Sequence, residues 1–274
     1  MNKIGIIFAL EDILNEKTDE LFAFGLETVQ LRCWYPENLT LENAEKVKKV
    51  LAKGNLVATS VWGGWSGPSI WDFVSGPKTL GLVPEDYRFQ RMQELRRAVD
   101  FTVAIGAKDM ATHMGFIPEQ PCYEGYRGLV EAVKWVGTYA KSKGVWFNFE
   151  TGQETPTTLM RTIADTGLDN LGVNLDPANL IMYGRANPVD AVGIYGDKVR
   201  GVHLKDGNYP SGDFSKLGHE TKVGEGSVNY PAFINKLVKE QGYAGDLYIE
   251  REISGAQQIA DIKDTIVYIK ELLK

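Results

Sequence analysis

The chain has 274 residues, of which 43% are hydrophobic and 11% aromatic, enough to bury a core without disulfides. Thirty Lys and Arg against 36 Asp and Glu give a net charge of −6, which argues against a nucleic-acid partner. Two cysteines exclude a disulfide framework. Because the apolar start meets Glu11 and Asp12 at once, we expect no leader. No apolar run approaches the roughly 18 residues of a membrane helix, so we expect no membrane partner. The scarce cysteines favour a reduced, cytoplasmic location.

Short apolar runs alternate with longer amphipathic segments along the whole chain. The short runs predict strands at 3–8, 27–33, 55–61, 107–112, 145–150, 170–176, 199–204 and 245–250. The longer segments predict helices at about 11–24, 40–53, 85–105, 123–143, 155–166, 187–195, 230–241 and 255–273. Several strands are apolar on both faces, as in a parallel sheet covered by helices.

This alternation predicts an α/β protein with one domain over residues 1–274, a (β/α)₈ TIM barrel. The alternative is an open doubly wound sheet, but no dinucleotide-binding glycine motif follows the first strand. Two connections, 62–84 and 205–229, are too long for plain turns, and both follow strand carboxyl ends. We expect these rim loops to wall a substrate site, since Trp62, Trp65 and Trp71 are costly to expose.

Four consecutive predicted strands, the fifth to the eighth, carry a metal-ligating residue at or beside their carboxyl ends. These residues are Glu150, Asp176, His203 and Glu250. Neighbouring parallel strands lie about 4.8 Å apart, so side chains on this rim can converge on one ion. One such residue alone is more often a cap or a core residue, and Asp176 before Pro177 can cap the next helix. Four at equivalent positions favour a metal site.

Three carboxylates and one imidazole make a mostly oxygen ligand set. This set suits Mn²⁺ or Mg²⁺ and is compatible with Co²⁺, Fe²⁺ and Zn²⁺. We therefore predict a divalent metal cofactor, with Mn²⁺ as the first choice, and open coordination positions for substrate oxygens.

The segments around these residues resemble the sugar phosphate isomerase/epimerase family of xylose-isomerase-like barrels, which includes ketose 3-epimerases and is related to inosose dehydratase. The resembling segments are THMGFIP at 112–118, FETGQE at 149–154, NLDPANL at 174–180, VHLKD at 202–206, KVGEG at 222–226 and IERE at 249–252. The resemblance implies that Glu150, Asp176, His203 and Glu250 bind the catalytic metal, and that Glu150 and Glu250 are the acid/base pair. Asn179 departs from the pattern, because ketose 3-epimerases often have a substrate-holding His there.

The expected chemistry is removal of a proton next to a carbonyl group, with the resulting enediolate stabilised by the metal. In a barrel, Glu150 and Glu250 would face the substrate from opposite sides, because two strands separate theirs. Two opposed bases suit epimerisation, since one removes a proton and the other returns it to the opposite face.

Several other rim residues are predicted to contact a carbohydrate substrate. They are His113, Lys205, Trp34, Trp62, Asn179 and Arg251. Lys205 could hold a hydroxyl or a phosphate, and Arg251 could equally form a salt bridge. The glycines of 222–227 and 254–255 are only a weak phosphate signal, so the sequence leaves phosphorylation of the substrate open.

We therefore predict a divalent-metal-dependent isomerase or epimerase of ketose-type sugars or sugar phosphates. The alternatives are an inosose-type dehydratase using the same site and a barrel that binds a sugar without turnover. A related barrel endonuclease is disfavoured, because its metal cluster needs more than the three histidines present, and a dehydrogenase lacks its nucleotide motif. The Trp-rich loop could also be buried against another subunit in a homo-oligomer.

Overall fold

In a computed structural model that describes residues 2–274, eight parallel strands close into a barrel. The barrel strands are β1 (Ile4–Ala9), β2 (Thr28–Cys33), β3 (Val57–Gly63), β4 (Asp109–Thr112), β5 (Trp146–Glu150), β6 (Leu171–Leu175), β7 (Val199–Leu204) and β10 (Leu247–Ile249). A hairpin of β8 (Asp206–Asn208) and β9 (His219–Thr221) follows β7. Around the barrel the order is β1-β10-β7-β6-β5-β4-β3-β2, which confirms the predicted TIM barrel.

Helices connect the strands and cover the outside of the barrel. They are α1 (Leu10–Leu14), α2 (Asp19–Ala23), α3 (Leu41–Lys53), α4 (Glu85–Ile105), α5 (Tyr126–Ser142), α6 (Pro156–Thr166), α7 (Pro177–Met182), α8 (Pro188–Tyr195), α9 (Tyr230–Ile234) and α10 (Ala256–Leu272). Shorter turns are the 3₁₀ segments Pro36–Asn38, Gly76–Lys78 and Gly196–Lys198 and the π-helical segment Asn235–Glu240. Within residues 2–274, no helix combines the length and the apolar character needed to cross a membrane.

Polar caps and glycines set the helix ends where the sequence indicates them. Thr40 accepts a hydrogen bond from the Asn43 amide at the start of α3, and Thr155 caps α6 in the same way. Gly106 ends α4 with a φ of 85°, a left-handed conformation that favours glycine.

The structure departs from the predicted elements in three places. The helix predicted at 11–24 is two short helices, because Glu16 adopts a positive φ of 55° in a polar stretch between them. The short helix α7 and the hairpin β8–β9 were not predicted. Both are too short for a hydrophobic period to show, and the hairpin lies inside the loop 205–229.

The interior of the barrel is polar near the carboxyl ends of the strands, while apolar side chains face the helices. Gln30, Asn174 and His203 come from β2, β6 and β7 and are joined by hydrogen bonds across the barrel. Their strand neighbours, such as Leu31, Leu175 and Leu204, are buried in the apolar core. The alternation of strand residues therefore sends polar groups into the interior of the barrel.

Candidate active site

The four predicted metal ligands lie together at the carboxyl-terminal rim. Glu150 is the last residue of β5, Asp176 directly follows β6, His203 lies in β7, and Glu250 directly follows β10. Because β5, β6, β7 and β10 are consecutive around the barrel, their ends form one arc. One ligand atom from each residue lies within 4.8 Å of those of the other three. This group can hold a metal ion.

The distances within the cluster suit donors around one small cation. His203 Nδ1 lies 3.3 Å from a Glu150 oxygen, 3.4 Å from an Asp176 oxygen and 3.0 Å from a Glu250 oxygen. Adjacent ligands of an octahedral ion with bonds of about 2.1 Å lie about 3 Å apart. The four donors therefore need little movement to surround Mg²⁺ or Mn²⁺, and the oxygen-rich set matches the preference of these ions.

The cluster is buried, so its charges strongly affect one another. Burial alone would raise the pKa of Glu150, but the charges of His113 and His203 hold that pKa well below its usual range. Burial also opposes ionisation of Glu250, yet Lys205 and His203 lower its pKa to about 2. For Asp176 burial dominates and raises the pKa, despite the nearby Lys205. Three carboxylates thus share one buried space, an arrangement that a cation stabilises.

Asp176 has two separate roles, one for each carboxylate oxygen. Its Oδ1 accepts a 2.8 Å hydrogen bond from the Asn179 amide and caps α7, whereas its Oδ2 faces His203. Thr151 Oγ1 donates to the Asp176 carbonyl and accepts from its amide N–H, at 2.8 and 2.9 Å. The capping interpretation and the metal interpretation of Asp176 are therefore compatible.

Glu150 is held by donors on several sides. Trp62 Nε1 donates a hydrogen bond to its Oε2, and Asn179 Nδ2 donates to its Oε1 at 3.2 Å. His113 Nε2 lies 3.3 Å from the same Oε1. These contacts fix the orientation of the carboxylate, a requirement for a positioned base.

A cavity of about 490 Å³ opens above the cluster. One wall is aromatic: Trp34 stacks on Trp62 with ring centroids 5.4 Å apart and planes at 11°, and Trp71 lies against Trp34 and His113. Asn179, Lys205, Glu150 and Glu250 also line the cavity. An aromatic wall opposite polar groups is typical of a site for a small polar molecule with apolar faces.

The structure places the two predicted cations differently. Lys205 lines the cavity, but its ammonium is buried and lies 3.4 Å from Glu250 and 3.2 Å from Glu252. Arg251 does not line the cavity, since its guanidinium pairs with Glu220 at 2.7 Å and with Asp261 at 2.8 Å. The prediction that Arg251 contacts substrate therefore receives no support from this geometry, and the salt-bridge alternative describes it.

The far side of His203 contacts two residues that the sequence does not mark as part of the site. Gln30 Oε1 lies 2.7 Å from His203 Nε2, and Asn174 Nδ2 lies 2.8 Å from the same nitrogen. Gln30 and Asn174 are visible in the sequence as polar residues within apolar strands, but the sequence does not show which residue each contacts across the barrel.

Glu154 is buried beside the site without a compensating contact. Neither of its carboxylate oxygens meets a hydrogen-bond donor among residues 2–274, and burial raises its pKa from 4.5 to about 8. The folded state therefore keeps a proton that the unfolded state loses above about pH 4.5. Stability falls as the pH rises from 4.5 to 8 and levels off above that, because the unfolded state binds fewer protons in this range.

Replacing Glu154 with glutamine should remove this pH-dependent loss. We expect Glu154→Gln to gain unfolding free energy relative to wild type between pH 5 and pH 8, by up to ~4 kcal/mol. Urea denaturation at both pH values measures the difference, and Glu131→Gln, an exposed helix position, serves as the matched control. If the free energies of unfolding of wild type and variant differ by the same amount at both pH values, the result would contradict a buried, protonated carboxyl at Glu154.

A second cavity, of about 480 Å³, lies at the opposite, amino-terminal end of the barrel. Asp109 and Arg200 form an ion pair there, with Nε and Oδ1 3.1 Å apart. None of the predicted ligands lines this cavity, so the carboxyl-terminal rim is the candidate active site.

Fold and site together define a TIM barrel with a carboxylate–imidazole cluster at its carboxyl-terminal rim that could hold a metal ion. The profile of the xylose isomerase-like TIM barrel family matches residues 19–272, and the chain belongs to this family. No curated protein sequence matches the chain.

Solved structures of similar fold cover nearly the whole chain. A xylose isomerase domain protein from Planctomyces limnophilus is 29% identical, with a TM-score of 0.89 over 99% of this chain and 96% of that one. An L-ribulose 3-epimerase is 18% identical, with a TM-score of 0.74 over 100% and 95%. A xylose isomerase-like TIM barrel protein from Mycobacterium smegmatis in complex with magnesium is 18% identical, with a TM-score of 0.72 over 100% and 97%.

Proposed function

We propose that the protein is a divalent-metal-dependent isomerase or epimerase of ketose-type sugars. The observation that carries this proposal is the convergence of Glu150 and Glu250 on one candidate metal centre, with both carboxylates lining the same cavity. Their strands β5 and β10 are separated by β6 and β7, so the carboxylates approach a bound molecule from different directions. Similarity of fold to an L-ribulose 3-epimerase is in agreement with this chemistry.

A divalent ion held by the four residues would act as a Lewis acid that acidifies the C–H bond next to the substrate carbonyl. Mn²⁺ is our first choice for this ion, and Mg²⁺ is the second. One of Glu150 and Glu250 then removes the proton from the carbon, and the other takes up a proton from solvent and delivers it to the opposite face. Both have low pKa values, so both are ionised and ready to accept a proton at neutral pH.

The charges around the cavity favour an uncharged sugar over a sugar phosphate. Four carboxylates line it, from Glu11, Glu150, Glu250 and Glu252, against two cations, Arg32 and Lys205. Lys205 is already paired with carboxylates, and Arg32 is exposed at the mouth. A bound divalent ion would offset the surplus of two carboxylates, so the preference rests on the lack, among residues 2–274, of a free cation inside the cavity for a phosphate to pair with. Sugar hydroxyls can bond to carboxylates, and C–H faces can stack on tryptophan.

Exchange in heavy water tests the proposal directly. The protein is incubated with Mn²⁺ and a panel of ketoses and ketose phosphates in heavy water, and products are followed by NMR. We expect deuterium at the carbon next to the carbonyl of an uncharged ketose, together with its epimer or isomer. An unsaturated ketone product would instead show a dehydratase. Binding without any exchange across the panel would contradict the enzyme and favour a sugar-binding barrel.

A further inference from the structure

Gln30 occupies an unusual position, at the centre of the barrel directly beneath the metal cluster. Its side chain is fully buried on β2 and reaches three other strands. Its Nε2 donates to Ser60 Oγ on β3 at 2.9 Å and to Asn174 Oδ1 on β6 at 3.2 Å. Its Oε1 lies 2.7 Å from His203 Nε2 on β7. A buried amide is costly unless it is paired, and here both ends are paired.

The surrounding backbone is shaped to admit this network. A Cβ atom at Gly201, two residues before His203 on β7, would lie 2.5 Å from Asn174 Oδ1. Any larger residue at 201 would therefore force the Asn174 side chain to shift. The network of Gln30, Asn174 and His203 has room because residue 201 has no side chain. Bulky branched residues normally fill the interior of such a barrel.

The amide of Gln30 is placed with its oxygen toward the histidine and its nitrogen toward Ser60 Oγ and Asn174 Oδ1. If the amide were turned over, its oxygen would meet Asn174 Oδ1, another acceptor, at the position where Nε2 now donates. The oxygen therefore faces His203 Nε2 and can accept only if that nitrogen carries a hydrogen.

A hydrogen on Nε2 has a direct consequence for the other ring nitrogen. In neutral imidazole one nitrogen carries the hydrogen and the other a lone pair, so an Nε2–H leaves the lone pair on Nδ1. Nδ1 is the atom that faces Glu150, Asp176 and Glu250. Asn174 Nδ2 also lies near Nε2, at 2.8 Å, and would donate to it in the opposite tautomer. Gln30 and Asn174 therefore favour opposite tautomers as placed, and the contact to Gln30 Oε1, at 2.7 Å, is the shorter of the two.

We propose that Gln30 is a positioning residue that holds His203 with hydrogen on Nε2 and its Nδ1 lone pair directed at the metal. This inference rests on the proposed function to the extent that His203 is a metal ligand. Hydrogen bonds from a ligating histidine to such a partner orient the ring and increase its basicity, and their loss typically weakens metal binding 10- to 100-fold.

Two substitutions separate the acceptor from the volume of the side chain. Gln30→Met keeps a similar length without an acceptor. Gln30→Glu, in its protonated form, keeps an acceptor oxygen opposite Nε2 and presents an O–H donor to Asn174 Oδ1. Calorimetric titration should show Mn²⁺ binding about 10- to 100-fold weaker in Gln30→Met and within a few-fold of wild type in Gln30→Glu. Gln153→Met is the matched control, a buried glutamine without contact to His203, and it should bind Mn²⁺ like wild type.

An NMR measurement reports on Gln30 independently of the metal. The ring N–H of His203 should give a slowly exchanging, hydrogen-bonded proton signal, assigned by its loss in His203→Asn. In Gln30→Met this signal should shift upfield or broaden, because its acceptor is gone, and circular dichroism should confirm that each variant is folded.

The outcomes distinguish this inference from the proposed function. Unchanged Mn²⁺ affinity and an unchanged His203 signal in Gln30→Met would overturn the positioning role while leaving the metal site intact. Weak binding in Gln30→Glu equal to that in Gln30→Met would also overturn it. If wild type binds no divalent ion, the proposed function fails, but the NMR signal of His203 still tests the role of Gln30. A changed signal in Gln30→Met supports that role, and an unchanged signal refutes it.

Discussion

Glu250→Gln is expected to lower turnover of a ketose substrate by about 10³-fold, because it removes one of two positioned bases. The glutamine keeps an oxygen that can still ligate a metal, so the loss should appear mainly in kcat. Glu150→Gln should cause a loss of similar size. Glu252→Gln, a half-exposed carboxylate two residues beyond Glu250, is the matched control and should lose less than 10-fold.

The two variants should also differ in which substrate they still exchange. If Glu150 and Glu250 serve opposite faces, each variant retains the base that faces one epimer. Glu250→Gln should therefore incorporate deuterium from heavy water into one epimer without converting it, and Glu150→Gln should do the same with the other. NMR of both purified epimers measures this. If both variants lose deuterium exchange equally with both epimers, or retain it equally with both, then Glu150 and Glu250 do not serve opposite faces of the substrate.

A divalent metal should stabilise the folded protein substantially, because it binds a cluster that exists only in the folded state. At a Mn²⁺ concentration of about 100 times Kd, linkage predicts a gain of ~2.7 kcal/mol, or a Tm increase of about 5–10 °C for a chain of this size. Differential scanning calorimetry with and without Mn²⁺ measures the shift.

Asp176→Asn should abolish most of the Tm increase caused by Mn²⁺, and it should raise the Tm of the metal-free protein. Burial raises the pKa of Asp176, so its charge is costly without a cation, and asparagine keeps the oxygen that caps α7. The control is Asp109→Asn, at the opposite end of the barrel, which should be destabilised by loss of its Arg200 ion pair but keep the full metal response. A Mn²⁺-induced Tm increase that disappears in Asp109→Asn and persists in Asp176→Asn would place the metal at the amino-terminal end of the barrel and contradict the proposed site.

The barrel could be predicted from sequence because its signals are local. Continuous apolar runs such as 3–8 and 145–150 mark strands buried on both faces, and glycines such as Gly106 mark helix ends. The same logic failed at 11–24, where the apolar spacing continues but a left-handed Glu16 divides the helix. Glu16 lies in an exposed polar turn, and nothing in the apolar spacing marks a break there.

The candidate site could be predicted as far as strand ends determine it. Glu150, Asp176, His203 and Glu250 stand at equivalent positions, so the closure of the barrel brings them together. Contacts across the barrel could not be predicted from the sequence, since Gln30 is 173 residues from His203 in the chain. Arg251 shows the other limit: its neighbour Glu250 points into the cavity, and alternation along the chain turns Arg251 toward Asp261.

The most direct test of the metal centre is anomalous diffraction from crystals grown with Mn²⁺, recorded at the manganese absorption edge. We expect one strong anomalous peak per chain, within bonding distance of Glu150, Asp176, Glu250 and Nδ1 of His203. A fully occupied peak elsewhere, for example beside Asp109 at the amino-terminal end, or no peak at the four residues despite saturating Mn²⁺, would contradict the proposed site.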